Sequence, residues 1–162
     1  MSSDHGALVD TFGRVHRDMR VSLTDRCSLR CTYCMPADFA DWIPREHLLS
    51  TDEMMLVLEV ATEMGINQMR LTGGEPLLRP DVVDVVRRLN ALPRAPKISL
   101  TSNGLQLPKL AQDLAEAGLE RVNVSLDTVD PQRFREMTHR DRFADVIAGI
   151  DAAKEAGRLP GK

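Results

Sequence analysis

Four short stretches of the chain alternate between apolar and polar residues, and each gives way to a segment whose apolar residues recur every three or four positions. Alternation is the period of a strand and the longer recurrence that of a helix. Together they predict repeated β–α units, an α/β fold with a mainly parallel sheet. Strands are expected at residues 19–23, 68–72, 97–101 and 121–126. Between them, Ser50 and Glu53 have the spacing of a capping box, and Met54, Val57, Leu58 and Ala61 share a helical face that ends at Gly65. Pro80 and Asp81 open a second helix carrying Val82, Val85, Val86 and Leu89, and a third passes through Leu110 and Leu114 to Gly118. Asp130 and Pro131 begin a short fourth helix. A fifth aligns Phe143, Ile147 and Ile150 and stops at Gly157, a residue that takes the left-handed conformation without strain.

Strands of a parallel sheet covered on both faces read as nearly unbroken apolar runs, and these four do not. Val21 and Leu23, Met69 and Leu71, Ile98 and Leu100, and Val122, Val124 and Leu126 make one apolar face. The other face carries Arg20 and Ser22, Arg70 and Thr72, Ser99 and Thr101, and Asn123 and Ser125. If the sheet curves into a barrel of the TIM type, these polar residues line an interior that other such barrels fill with Val, Ile and Leu. A polar interior implies a ligand cavity. The alternative is an antiparallel sheet whose polar face meets water, against which the intervening helices argue. A full barrel takes roughly 250 residues, so 162 residues are expected to form a truncated one.

With 43% hydrophobic residues the chain supports one core rather than two domains. Twenty-four acidic against 21 basic residues leave a net charge of −3, which excludes the basic footprint of a nucleic-acid binder. No apolar run approaches the ~20 residues of a membrane span, and the first ten residues lack the pattern of a secretory leader. A cytoplasmic protein is the expectation. The first 15 residues read as a loose arm and residues 16–162 as the folded unit.

All three cysteines, Cys27, Cys31 and Cys34, fall in a CxxxCxxC segment just after the first strand, at the strand end where barrel enzymes place their chemistry. An odd number within eight positions does not make a disulfide framework. Since a [4Fe–4S] cluster is normally held by four cysteines, three leave one iron open to a substrate or cofactor. A zinc site completed from elsewhere, or three ordinary buried cysteines, are the other readings. No second cysteine knuckle supports zinc, His47 stands outside zinc-finger spacing, and His5, His16 and His139 read as ordinary surface residues rather than ligands.

The CxxxCxxC segment, with aromatic Tyr33 before its last cysteine, resembles the radical S-adenosylmethionine (radical SAM) superfamily motif. Gly73-Gly74-Glu75 resembles that superfamily's GGE motif. The resemblance implies a radical SAM barrel with a [4Fe–4S] cluster on Cys27, Cys31 and Cys34. SAM would then be met by Tyr33 at the adenine, by Gly73, Gly74 and Glu75 at the amino group, and by Ser125. The segments from Arg20 to Cys27, from Arg70 to Arg79, Thr101-Ser102-Asn103-Gly104 and Val124-Ser125-Leu126-Asp127 are together similar to the GTP 3′,8-cyclase family. That likeness runs from about Phe12 to Lys162 and implies Arg20, Arg70, Thr101 and Lys162 as contacts to GTP. Arginine suits phosphate because its planar fork binds two oxygens at once.

The implied reaction begins molybdenum-cofactor biosynthesis. A 5′-deoxyadenosyl radical removes the ribose 3′ hydrogen of GTP, and the carbon radical closes on guanine C8 to give 3′,8-cyclo-7,8-dihydro-GTP. The resemblance further implies a flavodoxin-like or similar reductant and a downstream cyclic pyranopterin synthase, and it leaves a homodimer open. Ser28 departs from the asparagine the family usually has after its first cysteine. The family's second cluster and its two-glycine tail, both C-terminal, have no counterpart in this sequence, so binding is expected more readily than turnover. Rival readings are another radical SAM enzyme, such as a peptide maturase, and a non-catalytic iron–sulfur or zinc module.

Overall fold

The computed structural model describes residues 6–157. Four strands, β1 (Asp18–Ser22), β2 (Gln68–Thr72), β3 (Lys97–Ser102) and β4 (Arg121–Val124), form one sheet in the order β1-β2-β3-β4. Every pairing is parallel, as the β–α repeat requires. Strands that follow one another both in sequence and in space describe the arc of a partial (β/α) barrel. The antiparallel alternative is therefore excluded. β1 lies one residue earlier than expected, β3 runs one residue further, and β4 ends at Val124 rather than at residue 126. Beyond β4 one more bond, from Ser125 N to Ser102 O at 2.8 Å, carries the pairing onward before the chain turns away.

Five helices follow: α1 (Thr51–Glu63), α2 (Val82–Asn90), α3 (Leu107–Glu116), α4 (Pro131–Thr138) and α5 (Phe143–Glu155). The predicted capping box opens α1, with Ser50 Oγ accepting from Glu53 N and the Glu53 carboxylate accepting from Ser50 N. Val21, Leu23, Met69, Leu71, Ile98, Leu100 and Val122 project from the sheet into one core with Leu58, Val85, Val86, Leu89, Leu107 and Leu114 of the helices. Burying each such side chain contributes about 1.5–3 kcal/mol.

Two predicted helix faces are rotated from expectation. Val57 is 51% and Ile147 36% exposed, while Met55 and Val146 turn inward. In α5 the buried line is Val146, Gly149 and Ala153. The reason is distance: a Cβ on Gly149 would stand 2.1 Å from the Gly104 carbonyl oxygen. Only small residues let α5 come that close, so the large Phe143 and Ile150 flank the contact.

The uncovered face of the sheet is polar and stratified by register. Arg20, Arg70, Ser99 and Arg121 stand in one row across all four strands. Two residues further along stand Ser22, Thr72, Thr101 and Asn123, and past these the strands open into loops. No helix among the described residues is long and apolar enough to cross a membrane.

Candidate functional site

The loop after β1 carries the three cysteines, none of them in a disulfide. It is fixed at several points. Gly74 N donates to Thr24 O and Glu75 N to Arg26 O, both at 2.7 Å, so the loop after β2 is laced to the base of the cysteine loop. A Cβ on Gly73 would lie 2.3 Å from Thr24 O, and one on Gly74 2.2 Å from Asp25 O. The glycines thus permit a close approach of the chain to its own backbone, where the sequence alone pointed to approach by a ligand. Gly73 also has φ of 148°, which disfavours any side chain.

The second anchor is α4, about a hundred residues away in sequence. Arg30 N donates to Thr138 O at 3.0 Å and Thr32 N to Met137 O at 2.9 Å, so the cysteine loop satisfies the carbonyls that end this helix. Below the loop, Leu29 packs with Phe134, Leu105 and Val146 in a second apolar cluster against which Cys27 and Cys31 rest. On its outer side the guanidinium of Arg30 donates to the Cys27 and Leu29 carbonyls and lies 5.0 Å over the ring of Trp42. Asp25 accepts from Ile43 N at 2.6 Å, tying down the segment that carries Trp42.

Glu75 is 1% exposed, and its carboxylate accepts from Leu77 N at 3.1 Å, Ser102 Oγ at 2.8 Å and Asn103 N at 2.7 Å. Burial pushes its pKa up against the pull of these three donors. Instead of reaching outward, the side chain clasps the ends of β2 and β3. Asn103 continues the network: its Nδ2 lies 3.1 Å from Ser28 Oγ and 3.9 Å from Cys27 Sγ.

Cys27, Cys31, Cys34, Tyr33, Gly73, Gly74, Glu75, Thr101 and Ser125 together line one cavity of about 200 Å³ at the strand ends. The Tyr33 hydroxyl donates to Asp127 Oδ2 at 2.5 Å across its mouth, which holds the phenol well above its ordinary value. Burial raises the Cys27 and Cys31 thiols as well. Such thiols give up their protons to iron rather than to water.

Among the described residues no group of three His, Cys, Asp or Glu side chains closes on a point where it could hold one metal ion. A four-iron cluster takes each thiolate on a different iron, so its ligands stand apart around a volume. Three unpaired, soft sulfur donors spread around a cavity fit that group and leave one iron position without a ligand from the loop.

Arg20 and Arg70 line a different concavity, about 790 Å³, on the same sheet face. Lys97 and Arg121 share it, with Asp18 and Glu120 at its rim. Arg20, Arg70 and Arg121 are exposed and unpaired among the described residues. A desolvation penalty therefore does not explain them. Their distinction is alignment, since Arg20 and Arg70 are direct neighbours in register and repel each other without an anion. Arg121 was not recognised from sequence as part of this row; counting the alternation from strand to strand would have found it. Lys162 lies outside the described residues.

A model of the radical SAM superfamily matches residues 21–160. The GTP 3′,8-cyclase of Mycobacterium sp. (strain KMS) is 56% identical over 158 residues, 97% of this chain and 45% of that protein. The GTP 3′,8-cyclase of Streptomyces coelicolor is 53% identical over 156 residues, 96% of this chain and 46% of that protein. The chain thus spans less than half the length of these relatives. Among solved structures, Streptococcus suis SuiB bound to S-adenosylmethionine superposes with a TM-score of 0.68 at 21% identity, over 88% of this chain and 30% of that one. Methylornithine synthase gives 0.68 at 19%, over 96% and 45%. These two likenesses speak for the fold. Superfamily members use a [4Fe–4S] cluster and S-adenosylmethionine. From the family match across the sheet and its cysteine loop, the chain belongs to the radical SAM superfamily.

Proposed function

We propose that the chain is the SAM-binding part of a GTP 3′,8-cyclase, with residues 16–162 as its radical SAM core and residues 1–15 as an arm. The observation that carries this reading is the layering of the polar face. The row of Arg70, Ser99 and Arg121 lies four residues before Gly74, Asn103 and Ser125 of the cavity lining, or ~13 Å of extended chain. A nucleoside can occupy that interval, with its phosphates on the arginines and its ribose near the cavity beneath the cysteine loop. Sequence identity of 53–56% to GTP 3′,8-cyclases supports the same assignment.

In this reading Cys27, Cys31 and Cys34 hold the cluster. Gly73 and Gly74 offer backbone to the SAM amino group, and Tyr33 and Ser125 meet the rest of the cofactor. When bound and reduced by a flavodoxin-like donor, the cluster supplies the electron that splits SAM into methionine and a 5′-deoxyadenosyl radical. The chain's own work is placement. Arg20, Arg70 and Arg121 neutralise the triphosphate, Thr101 donates beside them, and the walls around Leu29 and Phe134 exclude water from the cofactor end. Glu75 fixes the loops instead of touching SAM with its carboxylate. Lys162 would add a further cation from beyond the described residues. The product passes to a cyclic pyranopterin synthase.

The test is anaerobic iron–sulfur reconstitution, followed by electron paramagnetic resonance of the reduced protein with and without SAM, and by GTP binding. A [4Fe–4S] signal altered by SAM, with GTP affinity that falls on Arg70→Ala, supports the cyclase. SAM cleavage without nucleotide affinity would reassign the chain to another radical SAM reaction, and tightly held zinc would end the radical reading.

A further inference from the structure

Asn103 occupies the turn after β3, 8% exposed, with every polar atom of its side chain committed. Its Oδ1 accepts from Leu105 N at 3.1 Å. Because that oxygen is bound, the amide orientation is determined, and the NH2 group must face the cysteine loop. There it meets Ser28 Oγ at 3.1 Å and Cys27 Sγ at 3.9 Å, one proton for each. The residue's own backbone N–H is held by the buried Glu75 carboxylate at 2.7 Å, and the Glu75 backbone N–H is bonded to Arg26 O, one residue before Cys27. The donor and the sulfur are thereby fixed to the same buried clasp.

We infer that Asn103 is a positioning residue that donates a side-chain N–H to the Cys27 sulfur and so raises the reduction potential of the cluster on the three cysteines. This rests on the cluster assignment proposed above. A hydrogen bond to a ligating thiolate withdraws charge from it, and the reduced cluster, with one more electron, gains more from that withdrawal than the oxidised one. Ser28 takes the second amide proton, while the bond from Leu105 N to Oδ1 keeps the NH2 group turned toward the loop.

The experiment is a redox titration of the anaerobically reconstituted chain, followed by electron paramagnetic resonance. In Asn103→Leu, similar in volume and without donors, the ratio of reduced to oxidised cluster at fixed potential should fall about tenfold. For a one-electron couple that is a downward shift of about 59 mV. Ser28→Ala, which leaves the amide free to serve Cys27, should keep the wild-type potential. An Asn103→Leu cluster with unchanged potential overturns the inference, as does an equal shift in Ser28→Ala, which would trace the effect to loop placement. A wild-type chain labelled with 15N in its asparagine side chains gives a reading without any variant. A 15N coupling to the reduced cluster that is replaced by a 14N pattern in unlabelled protein supports the bond, and its absence overturns it. If the wild-type chain assembles no cluster at all, the cofactor assignment itself fails and takes this inference with it.

Discussion

The two ends of the polar sheet face are built on opposite plans. At the strand ends nearly every polar group is bonded within the chain: Glu75 to Ser102 and Asn103, Asn103 to Ser28 and Cys27, Arg30 and Thr32 to the end of α4. Two to three residues before the strands end, Arg20, Arg70 and Arg121 stand in register with no partner among the described residues. The first arrangement suits a cofactor held in one geometry through the reaction, since its ligands stay in place without it. The second suits a charged ligand that comes and goes. Positive charge left uncompensated in the fold is available to bind an anion, and charge already paired is not.

The sharpest way to break the wired end is Gly74→Ala. The added methyl meets backbone carbonyl oxygens of Asp25 and Arg26 at 2.2 and 2.4 Å, atoms with no freedom to rotate away. The expected cost is about 1–3 kcal/mol, with the loops after β1 and β2 forced apart. Thermal melting should show the loss of stability, and cluster incorporation measured by iron content should fall more steeply than stability does. Normal iron content in a destabilised variant would mean that the loop after β2 supports the fold without positioning the cysteines.

The unpaired end predicts the opposite pattern. Arg121→Ala removes an exposed side chain with no partner, so stability should stay within about 0.5 kcal/mol. Charge-assisted hydrogen bonds contribute about 1.5–3 kcal/mol each, so GTP affinity should fall about tenfold or more, measured by calorimetry. Charge reduction in the Arg20 and Arg70 pair should behave likewise and relieve a repulsion. A variant that melts early while retaining GTP would show that the row serves the sheet and not a ligand.

Much of this contrast was legible before any coordinates, because alternation reports which side of a strand is apolar regardless of how the sheet curls. The polar face, the parallel order, the ends of α1 and the start of α4 all follow from local rules that act over a few residues. Three features do not. The burial of Gly149 rather than Ile147 depends on how closely α5 approaches the Gly104 loop. Glu75 turns inward because two hydrogen-bond donors, Ser102 and Asn103, arrive from the next strand. The support of the cysteine loop by α4 joins backbone groups about a hundred residues apart, and backbone donors leave no mark in a sequence.

That last contact gives the smallest and most specific prediction. Asp130 caps α4 by accepting from Gln132 N at 2.8 Å and Arg133 N at 3.2 Å. Asp130→Ala should therefore cost about 1 kcal/mol. The cap is exposed and far from the cysteines in sequence, so a purely local role would fray only the first turn of α4. But α4 has eight residues, and its other end holds Arg30 and Thr32 through the carbonyls of Thr138 and Met137. A helix this short transmits loss of its start to its end, because each remaining turn carries few bonds. Amide hydrogen exchange should then accelerate at Arg30 and Thr32 as well as at Arg133, while the strands keep their protection. Acceleration confined to the first turn would show that the cysteine loop is held by the apolar cluster around Leu29 and Phe134, with the carbonyl bonds secondary.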